Sequence, residues 1–169
     1  MTLPEWFHRS LRIPYILSVE RLGKKGSTII FLHGLAGQKE VWDEPMHRLG
    51  HSHRCIAIDL LGHGQSAKPT HLRYDVATHL RSIRWTLFWR GVHGPKTIVG
   101  HSMGTIIAAD WAYKYPKKIS CLVLASVPIY NRATEAKGLR SRFEAMTDAA
   151  HLFFYRALRS LPRPLALVC

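Results

Sequence analysis

The chain has 169 residues, 47% of them hydrophobic, the composition of a globular domain with a buried core rather than of a disordered segment. Lys and Arg number 24 against 11 Asp and Glu, a formal net charge of +13, but the basic residues are scattered, so a solvated basic surface is expected and no specific nucleic-acid partner. No stretch approaches about 18 uncharged apolar residues and the N-terminus has no apolar run, so neither a membrane span nor a secretory leader is expected.

Tyr15–Arg21 reads as an antiparallel strand at the start of the fold. Four apolar runs follow: Thr28–Leu32, Cys55–Leu60, Thr97–Val99 and Cys121–Ala125. Each is short, rich in β-branched residues and apolar at successive positions. That pattern fits strands buried on both faces, as in a parallel sheet. Helical patterns lie between them. Glu40–Leu49 has Val41, Met46 and Leu49 as its apolar positions. Tyr74–Arg90 carries Val76, Leu80, Ile83 and Leu87 on one helical face. Met103–Tyr115 is rich in Ile and Ala and stops before Pro116. The alternation predicts the α/β class, a mostly parallel sheet flanked by helices.

The composition changes near Asn131. Residues 1–130 read as the sheet-containing core, and 131–169 as the start of a helical cap, with no further buried strand. The run Cys121–Ala125 is then the last strand, an unprotected sheet edge through which chains could self-associate. Cys55, Cys121 and Cys169 are far apart, with no CxxC spacing, so neither a disulfide frame nor a metal site is expected. Cys55 and Cys121 read as small buried hydrophobes, and a reducing, cytoplasmic setting fits.

Gly100-His101-Ser102-Met103-Gly104 sits between a predicted strand and a predicted helix. A serine on that junction projects its hydroxyl above the sheet, and the flanking glycines allow backbone to approach without a Cβ clash. His33-Gly34-Leu35-Ala36-Gly37 follows the first apolar strand, where a tight loop can aim a backbone N–H at the serine. The N–H groups of Leu35 and Met103 would together make an oxyanion hole. His33 is read as holding its loop rather than as a base. In Asp59-Leu60-Leu61-Gly62-His63-Gly64-Gln65-Ser66, Asp59 and Ser66 can cap a turn, and His63 is read as a loop brace.

These elements in this order, followed by "ISCLVLASVPI", resemble the α/β-hydrolase fold family over residues 15–130. The resemblance implies a serine hydrolase that needs no cofactor and acts on a small-molecule acyl substrate such as an ester or thioester. Ser102 would be the nucleophile, Leu35 and Met103 the oxyanion donors, and His33, Gly34, Asp59, Gly100, His101 and Gly104 the elbow and its supports. It also implies a helical cap after the strand Cys121–Ala125. Serine at position 102 disfavours the members that use an aspartate nucleophile.

The family's order is Ser, then Asp or Glu, then His. After Ser102 the sequence has one histidine, His151, and the acids Asp110, Glu135, Glu144 and Asp148. None of the acids follows a new predicted strand. Asp148 and His151, three residues apart, can form an acid–base pair or an ordinary surface ion pair. The pattern matches the first two-thirds of such a hydrolase, ending within the cap. On that reading the chain alone is inactive or weakly active. The alternative is a non-catalytic binding module of the same fold.

Overall fold

A computed structural model of the chain describes residues 5–128 and the strand Ala166–Val168. Helix α1 (Glu5–Leu11), which the sequence reading did not anticipate, precedes strand β1 (Val19–Leu22). Then come β2 (Thr28–Leu32), α2 (Asp43–Leu49), β3 (Arg54–Ile58), α3 (Val76–Trp89), β4 (Lys96–His101), α4 (Met103–Lys114), β5 (Ile119–Ala125) and β6 (Ala166–Val168). The sheet order is β1-β3-β2-β4-β5-β6. Among the described strands only β1 runs antiparallel to its neighbour; the remaining pairs are parallel. This is the mostly parallel, helix-flanked sheet that the alternating pattern predicts.

The continuous apolar runs reflect burial on both faces. In β2 all five residues are buried. Ile29 and Phe31 pack with Met46, Cys55 and Ala57 on the α2 side. Ile30 and Leu32 join the larger core with Ile56, Ile58, Leu80, Ile83, Leu87, Ile98 and Ile107, on the α3 and α4 side. Strand period two thus feeds two cores from one segment. Cys55 is buried in the smaller core, where burial raises its thiol pKa, and Cys121 is half-buried.

Helix α3 is defined by its ends. The Asp75 side chain accepts from the Thr78 N–H at 2.7 Å, a carboxylate N-cap. At the other end Gly91 takes φ +68°, and the N–H groups of Gly91 and Val92 donate to the Phe88 and Leu87 carbonyls. That paired closure stops the helix and satisfies carbonyls that would otherwise be orphaned.

Two expectations about the sheet are corrected. The strand predicted over Cys55–Leu60 ends at Ile58, because Asp59 and Leu60 turn out of the sheet to bond with neighbouring loops. No strand was expected after β5, yet Ala166–Val168 pairs with it in parallel, Leu122 opposite Ala166 and Leu124 opposite Val168. β5 is therefore an internal strand, not the unprotected edge, and β6 takes its outer side. Ala166–Val168 falls within the span read as cap and belongs to the sheet. The 130/131 boundary, the cap helices and Cys169 lie outside the described residues.

The register places the site. Leu32 lies opposite Ile58 and Gly100, and Gly100 opposite Leu124. The loops after β2, β3, β4 and β5 therefore leave the sheet together at the carboxyl ends of parallel strands, where open α/β sheets bind ligands.

Candidate active site

β4 runs straight into α4 with Ser102 as the one residue between them. That connection is possible only because Ser102 adopts φ 49° and ψ −117°. A non-glycine residue there carries strain on the order of 1–3 kcal/mol, held by its surroundings. The Ser102 N–H donates to the Ala125 carbonyl at 3.0 Å, tying the turn to the end of β5. The Ser102 carbonyl accepts from the Thr105 N–H at 2.9 Å and from the Thr105 hydroxyl. The turn is thus fixed on both sides, and the half-buried serine sits at the start of a twelve-residue helix. The first N–H groups of α4 have no intrahelical partner and favour negative charge beside them.

The glycines are set by contact. A Cβ on Gly104 would lie 2.3 Å from the Leu32 carbonyl oxygen, so α4 packs directly on the backbone of β2. A Cβ on Gly100 would lie 2.6 Å from the Gly104 carbonyl oxygen. Since the obstacles are backbone, a Gly104→Ala variant is expected to lose about 1–3 kcal/mol through overpacking. Urea unfolding of the variant measures this, and a loss under about 0.5 kcal/mol would mean that the helix can back away from β2.

The loop after β2 lies against the serine. A Cβ on Gly34 would meet the Ser102 Cβ at 3.0 Å and the His101 ring at 3.1 Å. Leu35, 54% exposed, and Ala36, at φ 57°, form the outer part of this loop. Met103 is buried at the first position of α4, and His101 is exposed. The structure thus brings Gly34, Ser102 and Met103 together, with Leu35 next to Gly34.

His33 is fully buried beneath the loop. Its Nε2 accepts from the Leu60 N–H at 3.0 Å, so its proton sits on Nδ1, which donates to the Gly34 carbonyl at 2.7 Å. Burial lowers its pKa, and the nearby His63 acts in the same direction. A neutral imidazole therefore links the loop after β2 to the loop after β3, with both nitrogens engaged.

Asp59, also fully buried, organises the same region. Its carboxylate accepts from the Lys39 N–H at 2.7 Å, the Gln65 N–H at 2.9 Å and the Lys39 ammonium at 3.0 Å. Burial alone would raise its pKa, but these donors outweigh burial and the net direction is down. The Ser66 hydroxyl donates to the Asp59 carbonyl at 2.6 Å and accepts from the Ser18 N–H at 2.9 Å. The sequence reading missed Lys39, which is only 5% exposed. Lysine is almost never buried without a partner; the adjacent Glu40 is partly exposed, and the buried partner Asp59 lies 20 residues away in sequence, so no local pattern marks the burial.

Asp110 points into an ion pair with Lys114 at 2.9 Å, one turn along α4. Among the described residues, no histidine or carboxylate hydrogen-bonds the Ser102 hydroxyl, and no three His, Cys, Asp or Glu side chains converge as metal ligands. Asp148 and His151 lie outside the described residues. A cavity of about 260 Å³ is lined by Glu20, Lys39, Glu40, Asp43, Met46 and His47, on the α2 side, and Ser102 is not part of its wall.

Comparison with known proteins agrees with this architecture. An uncharacterized protein of Mycobacterium tuberculosis is 36% identical over 106 residues, covering 63% of this chain and 30% of that protein. A Pseudomonas aeruginosa structure described as a probable hydrolytic enzyme has a TM-score of 0.66 at 28% identity, over 75% of this chain and 41% of that one. A thioesterase domain from the curacin biosynthetic pathway has a TM-score of 0.64 at 26% identity, over 78% of this chain and 50% of that one. The chain thus spans half or less of each relative's length. The model of the alpha/beta hydrolase fold family matches residues 27–166, so the chain belongs to that family.

Proposed function

We propose that this chain carries the nucleophile and oxyanion elements of a serine hydrolase acting on a small-molecule acyl bond, an ester or thioester. The observation that carries this reading is Ser102 at φ 49° on a β4–α4 turn, with the Gly34 loop against its Cβ. In this mechanism the Ser102 hydroxyl attacks the carbonyl carbon as its proton passes to a general base. The carbonyl oxygen becomes negative and is held by the N–H groups of Leu35 and Met103. Such donors supply about 3–4 kcal/mol of transition-state stabilisation each. The leaving group departs with a proton, and water then attacks the acyl-serine and regenerates the enzyme. His33, Asp59, Gly100, His101 and Gly104 act as positioning residues that hold the two loops. The likeness to a thioesterase domain supports the substrate class.

A fluorophosphonate probe tests the assignment. Slow modification of Ser102 is expected in this chain, absent in Ser102→Ala, because no general base reaches it among the described residues and a serine without one is a weak nucleophile. Fast modification is expected in a longer polypeptide that supplies the acid and histidine of this fold. If Ser102 stays unmodified in both, the non-catalytic binding module becomes the better reading. That alternative draws on the Ser102 hydroxyl, to which no histidine hydrogen-bonds among the described residues.

A further inference from the structure

We infer that the outer face of α3 is a docking surface for an anionic lipid bilayer. The inner face of this helix supplies Leu80, Ile83 and Leu87 to the core. Its outer face presents Arg81, Arg84, Trp85, Phe88 and Trp89, spaced as one stripe at i, i+3, i+4, i+7 and i+8. Phe88 is 60% exposed and Trp89 61% exposed, unusual values for side chains of this size. The three rings support one another: Trp85 stacks with Phe88 at 6.1 Å, and Trp89 meets their edges at 5.7 and 5.9 Å. A pre-assembled aromatic cluster of this kind protrudes without losing rotamer freedom on docking.

Charge selects the occupant. From Val76 to Ala109 there is no Asp or Glu, while Arg81, Arg84 and Arg90 are exposed around the rings; Arg81 also donates to the Arg12 carbonyl and Arg84 lies on the Tyr115 ring and donates to its hydroxyl, so both keep their charge at the surface without a counter-ion among the described residues. A second copy of this chain seated on the patch would set these arginines against their own images, in a chain of net charge +13. An anionic surface complements them. Trp89 stands edge-on to Trp85 and Phe88 instead of extending a parallel platform, which disfavours successive base stacking by a single-stranded nucleic acid. Tryptophan and phenylalanine flanked by arginine match the boundary between headgroups and acyl chains, where the rings enter and the guanidinium groups pair with phosphate. No helix among the described residues is long and apolar enough to cross a membrane.

The test is co-sedimentation of the 169-residue chain with vesicles of phosphatidylcholine alone or mixed equally with phosphatidylglycerol. Binding is expected only to the mixed vesicles, weakening as salt rises. Phe88→Ser combined with Trp89→Ser is expected to reduce partitioning about tenfold or more, and Arg90→Gln about fivefold. Both variants should keep the thermal midpoint of the parent, because the altered side chains are exposed. Equal binding of the parent and the double-serine variant overturns the proposal. So does a parent that ignores anionic vesicles, including one that dimerises through Trp89 or binds oligonucleotides instead.

Discussion

Replacing Asp59 with alanine is expected to lower the unfolding free energy by about 3–5 kcal/mol, the range for breaking a buried ion pair by removing one partner. The carboxylate is fully buried and takes three hydrogen bonds, two from backbone N–H groups of Lys39 and Gln65 and one from the Lys39 ammonium. Alanine leaves both N–H groups without their acceptor. It also leaves a lysine that is 5% exposed with Glu40 as its sole counter-charge, and the Glu40 side chain is 44% exposed and correspondingly screened. Burial favours a neutral Lys39, yet Glu40 and Asp59 together hold its pKa above the ordinary value. Asp59→Asn keeps the shape and loses the charge, so it should cost less than alanine. Because the folded-state pKa of Asp59 is depressed, its contribution is present above the ordinary carboxylate range and is lost as pH falls through the folded pKa. Urea unfolding of the parent and both variants near neutral pH provides the measurement. A loss below about 1 kcal/mol for Asp59→Ala would show that the loop after β3 is held by something other than this carboxylate.

The effect bears on the site because Lys39 follows the loop that reaches Ser102. Asp59 holds Lys39 from one side, and His33 links Leu60 to Gly34 from the other. Two loops that leave adjacent strands are thereby fixed to each other as well as to the sheet. A Cβ on Gly64 would fall 2.3 Å from the Asp59 carboxyl carbon, and Gly64 has φ 47°. The glycine in this loop therefore answers to a requirement of both space and backbone conformation.

What the sequence disclosed and what it concealed divide along the range of the interactions. β2 was legible to the residue, because its five positions are all buried and its composition needs no distant information. α3 and α4 were legible to within about two residues, since the apolar stripe and the stop before Pro116 are local signals. The turn at Ser102 was legible as a backbone feature: glycines two residues away on either side mark where a strand and a helix pack too closely for a Cβ. The end of β3 was misjudged because Asp59 and Leu60 continue an apolar run, while their hydrogen bonds go to residues far away in sequence. β6 has three residues, too few for any periodicity, and its place depends wholly on pairing with β5. Asp59 was legible as a support of its loop, but Lys39 was concealed, since its burial depends on a carboxylate 20 residues away. A histidine and an acid able to serve Ser102 would likewise be brought to it by tertiary structure, and spacing along the chain does not locate them.

The second large effect is a loss of stability as pH falls, carried by His79. This residue lies on the inner face of α3 and is 1% exposed. Its Nδ1 is buried with no hydrogen-bond partner. Burial pushes its pKa down to about 4 from 6.5, and the nearby His63 and His33 push the same way. Asp75 and the Tyr74 carbonyl oppose them without reversing the direction. The folded state therefore keeps the ring neutral over a range in which the unfolded chain binds a proton. Where the unfolded state binds more protons, stability falls as pH falls. With those two pKa values the loss is roughly 2 kcal/mol between about pH 7.5 and about pH 5, approaching roughly 3 kcal/mol near pH 4. His33, lowered by its own burial, adds to the same slope. His79→Leu removes the proton-binding group while keeping an apolar side chain of similar bulk on the core side of α3. The variant should lose the larger part of this acid sensitivity, so that its stability relative to the parent improves steadily from pH 7.5 toward pH 5. Urea unfolding of both proteins across that interval decides the matter. Parallel pH profiles for parent and variant would mean that the ring gains solvent or a partner when protonated, and that the interior beneath the Ser102 loops is more open than its packing indicates.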